Sequence, residues 1–357
     1  MINGSDGSNL ILSLDRSVQF LIEQKLKDGI EKYGATGGMI GIMEPQTGNI
    51  IAMASSPSYE PQKYWEYDES LYTNPLITNT YEPGSVLKPI VMAGALDAGL
   101  ITPQTKCNIC GGPVSVSGYD LHTWDDKYYP DTNMIQVIQH SDNTGMVFVA
   151  LKMGADRMIN YLTKFGFGQS TGIDLQGETV PPLKPRNSWY DVDLATTGFG
   201  QGISVTPIEL LSAFSALANN GKMMQPRVVT AVENANGEIK TMSPVVKGTP
   251  VSEKTAKVMT EILVNAVEKG EAQWAKLKGY RIAGKTGTAS IPLKGHYDQS
   301  STIASFIGFA PADNPKFVMM VILDKPTTSI YAADTSAPLF FDISRDLLDY
   351  YGIPPSE

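Results

Sequence analysis

Apolar positions recur at helical spacing over residues 16–33, where Val18, Leu21, Ile22, Leu26 and Ile30 share one face and Gly34 stops the run. The period then changes. Met39–Met43 and Asn49–Ala54 flank Pro45-Gln46-Thr47-Gly48, whose turn chemistry predicts a hairpin. A helix is expected from Ser85 to about Leu96, with Pro89 tolerated near its first turn. Thr206-Pro207-Ile208-Glu209 is a capping box with proline just inside the start, and the helix it opens ends at Asn220-Gly221. Residues 252–269 and 338–351 are amphipathic and end before Gly270 and Gly352. Between them, Tyr280–Gly284, Thr302–Phe309 and Phe317–Leu323 read as strands, the last two joined by Pro311-Ala312-Asp313-Asn314-Pro315. Strands therefore lie at both ends of the chain, around a largely helical and loop-rich middle from about residue 60 to 275. Such strands can share one antiparallel sheet with a terminal helix on its face, which predicts an α+β or mixed design.

Composition narrows the classes. With 357 residues, 42% of them apolar, the chain can bury one large core or two smaller ones, so disorder and miniprotein scaffolds are excluded. The net charge is −9, only 18% of residues are charged, and there are no basic blocks, so nucleic acid is a poor partner. The longest apolar run, Phe317–Leu323, falls far short of the ~20 residues that span a bilayer. No signal peptide is visible. Residues 1–9 are polar and read as a flexible linker or a cloning remnant, leaving 10–357 as the folded domain.

Three short motifs occur in order: Ser85-Val86-Leu87-Lys88, Ser141-Asp142-Asn143 and Lys285-Thr286-Gly287. Singly each is weak, and Ser85 alone reads equally well as a helix N-cap. Together they form a chemical set. A serine hydroxyl is a poor nucleophile until a base takes its proton. On a helix, positions three apart share a face, so Lys88 is expected to reach the Ser85 hydroxyl. Lysine serves as a base only when burial or a nearby cation lowers its pKa, and Lys285, arriving from a strand, can supply that cation. Ser141 and Asn143 can face the same side, to relay a proton and hold a substrate amide. Gly287 lets an extended substrate lie against the strand edge. The backbone N–H groups of Ser85 and Thr288 would form an oxyanion hole.

These motifs resemble the penicillin-binding proteins and serine β-lactamases. Beyond them, Gly38–Ser58, Tyr81–Pro89, Gly198-Phe-Gly-Gln-Gly202 with Thr206-Pro207, and Ser305–Ala312 are similar to the transpeptidase domain of class B penicillin-binding proteins. The likeness runs from about Leu10 to the C-terminus. It implies an α+β transpeptidase fold, with about five antiparallel strands covered by helices beside a helical lobe. It implies D,D-transpeptidation of peptidoglycan stem peptides ending in D-Ala-D-Ala, through an acyl-Ser85 that β-lactams also form, without a cofactor or metal. By the same likeness Ser85 is the nucleophile and Lys88 the base, while Lys285, Thr286 and Thr288 hold the substrate's terminal carboxylate. Family members usually carry a membrane anchor and a pedestal domain ahead of this one. The implied setting is therefore the outer face of the cytoplasmic membrane, alongside a cell-wall glycosyltransferase.

Other readings compete. Gly279-Tyr-Arg-Ile-Ala-Gly284-Lys285-Thr286 matches the Walker A pattern, but its interior is strand-like and Gly287 and Pro292 follow where a helix is needed. Gly168-Gln-Ser170-Thr-Gly172 matches a nucleophile elbow, but it lacks the strand before and helix after, and only His296 lies downstream as its base. Within the superfamily, Asp142 is common in class A β-lactamases. The nearest deacylation-like segment, Glu261-Ile-Leu-Val-Asn265, reads as helix surface. A β-lactam sensor domain is the remaining alternative. Cys107 and Cys110, with His122 and His140 nearby, admit a disulfide, two free thiols, or a zinc site whose histidine spacing is not that of a finger. Tyr64-Trp65, Trp124 and Tyr128-Tyr129 are read as packing.

Overall fold

A central five-stranded antiparallel sheet is assembled from both ends of the chain, as the pattern predicts. The structure, a computed structural model, describes residues 7–293 and 296–355. Strands β1 (Asn9–Leu12), β2 (Gly37–Met43) and β3 (Ile50–Ser56) frame helix α1 (Arg16–Tyr33). Asp15 caps α1 by accepting from the Ser17 and Val18 amides, and Gly34 ends it in the left-handed region. The lobe that follows holds α2 (Lys88–Asp97), α3 (Met134–Gln139), α4 (Asn143–Lys164, broken at Gly154), α5 (Asp191–Gly198) and α6 (Pro207–Ala218). After it come β4 (Val229–Glu233), β5 (Ile239–Thr241) and α7 (Glu253–Lys269). The chain closes with β6 (Ala283–Leu293), β7 (His296–Ala310), β8 (Phe317–Asp324) and α8 (Ser336–Tyr350).

The main sheet runs β6-β7-β8-β2-β3, and a small sheet runs β1-β4-β5. Strand β8 is central and covered on both faces, which is why Phe317–Leu323 is apolar without alternation. Its own side chains still divide by parity. Met319, Val321 and Leu323 join the core with α1 and α8, while Val318, Met320 and Ile322 join the core of the helical lobe. The strand predicted at Phe317–Leu323 is therefore present and buried, its two methionines included. Two cores, one on each face, leave β6 as a sheet edge beside the lobe.

Three sequence-based expectations need correction. The strand read at Tyr280–Gly284 runs instead from Ala283 to Leu293, so Lys285-Thr286-Gly287 lies well inside it. The edge position explains this, because an edge strand accommodates both a glycine and a late proline such as Pro292. The helix expected from Ser85 begins as a 3₁₀ turn, Gly84–Leu87, and becomes α-helical only at Lys88. The middle is largely helical and loop-rich as expected, with short strand pairs such as Val114–Val116 with Tyr119–Leu121 and Met223–Met224 with Val246–Gly248. Of the linker read at 1–9, residues 1–6 lie outside the described residues, and Asn9 pairs with Glu233 in the small sheet.

Candidate active site

The three motifs meet at the seam between the lobe and the edge strand. Gly84 takes a positive φ of 58° and donates its N–H to the Gly200 carbonyl at 2.9 Å. A Cβ on Gly200 would lie 2.0 Å from the Gly84 carbonyl oxygen, so only glycine lets these backbones approach. On the other side, a Cβ on Gly287 would lie 2.7 Å from Val86 Cγ1 and 2.6 Å from Ser305 Oγ. The Ser85 turn is thus clamped between β6 and the Gly198–Gly202 segment. Ser85 stays half-buried at the helix entrance, and the Lys88 amide donates to its carbonyl.

Lys88 is fully buried. Its Nζ donates to the Ser141 carbonyl at 2.5 Å, to Ser141 Oγ at 3.2 Å and to Asn143 Oδ1 at 2.8 Å. Two local features aim these acceptors. Ser141 adopts a left-handed φ of 53°. Asp142 then caps α4, its Oδ1 accepting from Thr144 Oγ1 and the Gly145 amide. Asn143 is held from outside by its Nδ2 donating to the His122 carbonyl at 2.9 Å. Ser141 and Asn143 therefore face the same side, as expected.

Burial, reinforced by the Lys285 charge, pushes the Lys88 ammonium down to about 7, while Glu271 and Asp142 oppose the shift. The direct Lys88–Ser85 hydrogen bond expected from the spacing is not among the hydrogen bonds of the described residues. The reason is visible in the donor count: an ammonium has three N–H groups, and three acceptors on the Ser141–Asn143 segment take them. Loss of one proton frees a lone pair on Nζ one helical turn from the serine.

From β6, Lys285 is buried and donates to Thr286 Oγ1 at 2.9 Å and to the Thr286 carbonyl at 3.2 Å. Thr286 Oγ1 in turn donates to Glu271 Oε2 at 2.7 Å. Burial lowers the Lys285 pKa, and Glu271 pulls it back up. Thr288 Oγ1 accepts from the Ala332 amide at 3.0 Å, which leaves its own proton to donate. The Gly84 turn lies against Ala289 and the Thr288 carbonyl, so the Ser85 and Thr288 segments run side by side where an oxyanion hole was expected. Glu271 was missed by sequence reasoning. It follows Gly270, where the helix predicted at 252–269 ends, and nothing local links it to Lys285 fourteen positions on.

Residues 38–345 match the family model for the penicillin binding protein transpeptidase domain. The chain belongs to the class B penicillin-binding proteins. It is 36% identical over 354 residues to stage V sporulation protein D of Bacillus subtilis, covering 98% of this chain and 55% of that protein. It is 32% identical over 358 residues to the peptidoglycan D,D-transpeptidase FtsI of Buchnera aphidicola, covering 99% and 60%. The chain thus spans 55–60% of the length of these curated relatives. Among solved structures, penicillin binding protein 3 of Mycobacterium tuberculosis complexed with aztreonam superposes with a TM-score of 0.93 at 27% identity, covering 100% of this chain and 83% of that one. The transpeptidase domain of Burkholderia pseudomallei penicillin-binding protein 3 gives 0.85 at 29% identity, covering 97% and 98%.

The other sequence readings resolve around this transpeptidase domain. The Walker-like stretch leads into β6, with no helix after Lys285-Thr286. Ser170 donates to the Glu178 carboxylate, not to a histidine. Glu261 is an exposed partner of Arg281, so it is helix surface as read. Cys107 and Cys110 form a disulfide with Cα atoms 5.7 Å apart, which replaces both the free-thiol and zinc readings. His122 instead faces Asp126 and Tyr128, and His140 stacks on Tyr129. The Trp124 indole donates to the His140 carbonyl and packs edge-on against Tyr331 at 5.3 Å, a contact between two exposed rings rather than part of a core. No described helix is long and apolar enough to cross a membrane.

Proposed function

We propose that this domain is a peptidoglycan D,D-transpeptidase working through acyl-Ser85. The reading rests on one observation above all: a fully buried lysine, one turn from a half-buried serine, with its Nζ held on Ser141 and Asn143, in surroundings where burial and a second cation favour its neutral form. Neutral Lys88 takes the Ser85 proton as Oγ attacks the penultimate D-Ala carbonyl. The tetrahedral oxyanion is met by the Ser85 and Thr288 amides. Ser141 Oγ, 3.2 Å from Lys88 Nζ, passes the proton to the leaving amine as the C–N bond breaks and D-Ala departs. An acceptor amine on a neighbouring stem then attacks the ester, loses its proton to Lys88, and Ser85 leaves with its proton restored. Asn143 holds the donor amide, and Lys285 with the Thr288 hydroxyl draws the terminal carboxylate to the β6 edge beside Gly287, whereas the Thr286 hydroxyl, expected from the family likeness to join them, gives its proton to Glu271.

The names of the relatives support the substrate class, and the aztreonam complex of a structural neighbour supports acylation by β-lactams. We place the domain outside the cytoplasmic membrane, anchored through a segment of the full protein and serving a cell-wall glycosyltransferase. The test is acyl transfer from a D-Ala-D-Ala-like thioester donor to a D-amino acid. Formation of the exchanged product, lost in Ser85→Ala, supports the reading. Hydrolysis of nitrocefin in steady turnover with no acceptor incorporation would make it a β-lactamase, and one slow acylation without transfer would make it a sensor.

A further inference from the structure

Two lysines are buried within a few side chains of one another, and burying like charges is costly without a counter-charge. The charged groups acting on them are few. Asp142, from the start of α4, and Glu271, from the turn after α7, act on Lys88, and Glu271 acts on Lys285. From the other elements packed here, α3 presents the neutral Gln139 and β7 presents Phe306. Asp142 spends one oxygen on its helix cap. Glu271 is placed differently: its Oε2 accepts from Thr286 Oγ1 at 2.7 Å, and that same oxygen of Thr286 accepts from Lys285 Nζ at 2.9 Å. Its position is built by Gly270, where a Cβ would lie 2.3 Å from the Ala266 carbonyl and 2.8 Å from the Gln139 carbonyl. Only a glycine lets the chain turn there and carry the next side chain beneath the strand.

We propose that Glu271 is a positioning residue, the counter-charge that keeps Lys285 an ammonium and turns the Thr286 hydroxyl, so that the β6 edge is set to receive a carboxylate. It touches no reacting atom. Its charge acts on both lysines, but only Lys285 is joined to it by a hydrogen-bond chain, through the Thr286 hydroxyl. The proposal rests on the acyl-serine reading above.

The sign of the test follows from charge alone. Removing a negative group makes both ammoniums shed protons at lower pH, so both limbs of the acylation profile move the same way. The acylation rate of the purified domain by a fluorescent penicillin, measured from pH 5 to 10, is therefore compared for wild type, Glu271→Gln and Glu271→Asp. The account expects both limbs of Glu271→Gln to shift acid-ward by about one pH unit, the size typical of a lost nearby charge. In Glu271→Asp they stay in place even if the rate falls. A carboxylate-blocked penicillin ester, compared with the free acid, should lose less in Glu271→Gln than in wild type at the alkaline end. Glu271→Ser, small and neutral, is read in parallel in case the glutamine variant does not fold. Limbs unmoved in the neutral variants, with only the height changed, would overturn the proposal. A wild type unlabelled at every pH would instead sink the acyl-serine reading, and the proposal with it.

Discussion

The two walls of the cleft are built on different physics. The lobe wall, Ser85-Lys88 with Ser141-Asn143, is held by backbone geometry: a 3₁₀ turn, a left-handed serine, a helix cap and two glycine contacts. Its lysine donates hydrogen bonds to neutral oxygens, with Glu271 and Asp142 acting on it without a direct bond. The sheet wall is a free strand edge whose lysine is tied, through Thr286, to a carboxylate. A base must be able to lose its proton, and an anchor for a carboxylate must not. Neutral acceptors suit the first task and a counter-ion suits the second. Burial lowers both lysines, so what sets Lys285 apart is its link through the Thr286 hydroxyl to Glu271.

Four experiments break or sharpen that contrast. The largest effect belongs to the nucleophile: Ser85→Ala should abolish labelling by a fluorescent penicillin on a denaturing gel, and surviving label would move the reacting atom elsewhere. Lys88→Ala should slow acylation by about 10²–10⁴, the usual worth of a positioned base. Its wild-type acid limb has a fixed sign. The base works only when neutral, so the rate should climb as pH rises through about 7. Stopped-flow acylation checks both points, and a near-normal, pH-flat Lys88→Ala would remove this residue from the role.

The third concerns rigidity of the lobe wall. Gly200→Ala places a Cβ 2.0 Å from the Gly84 carbonyl at a φ of +86°, whereas Gly118→Ala, at +84°, meets nothing within 4 Å. Both carry backbone strain of about 1–2 kcal/mol. Only the first adds a clash at the nucleophile turn, so thermal melting should show it several degrees below Gly118→Ala. Equal melting temperatures would mean the turn tolerates displacement. Smallest is the disulfide. Its four-residue loop is worth about 2 kcal/mol in the chain-entropy model. Cys107→Ala with Cys110→Ala should therefore lower the melting temperature while the position of the pH limbs holds, because the bridge touches neither lysine. A moved limb would show that the bridge reaches the site.

Much of this was legible in the chain, and the gaps have physical causes. The helix at 16–33, the capping box at Thr206 and the strand Phe317–Leu323 were readable because their signals are local: period, cap and unbroken burial. The site motifs were readable because few residue types perform this chemistry in this order. Strand β6 was cut short because glycine and proline read as breakers, although an edge strand tolerates both. The Lys88–Ser85 contact was expected from spacing alone, whereas tertiary acceptors on Ser141 and Asn143 claim the ammonium. Glu271, and Trp124 reaching Tyr331, depend on chain segments meeting in space, and no window of sequence contains such a meeting.

The central claim is that one alcohol, Ser85, is the group that becomes acylated. Its most direct test is intact mass of the domain after benzylpenicillin treatment, followed by peptide mapping of the adduct. The account predicts a single penicilloyl addition per chain, carried on the peptide holding Ser85. No adduct, or one mapped to any other residue, would contradict it.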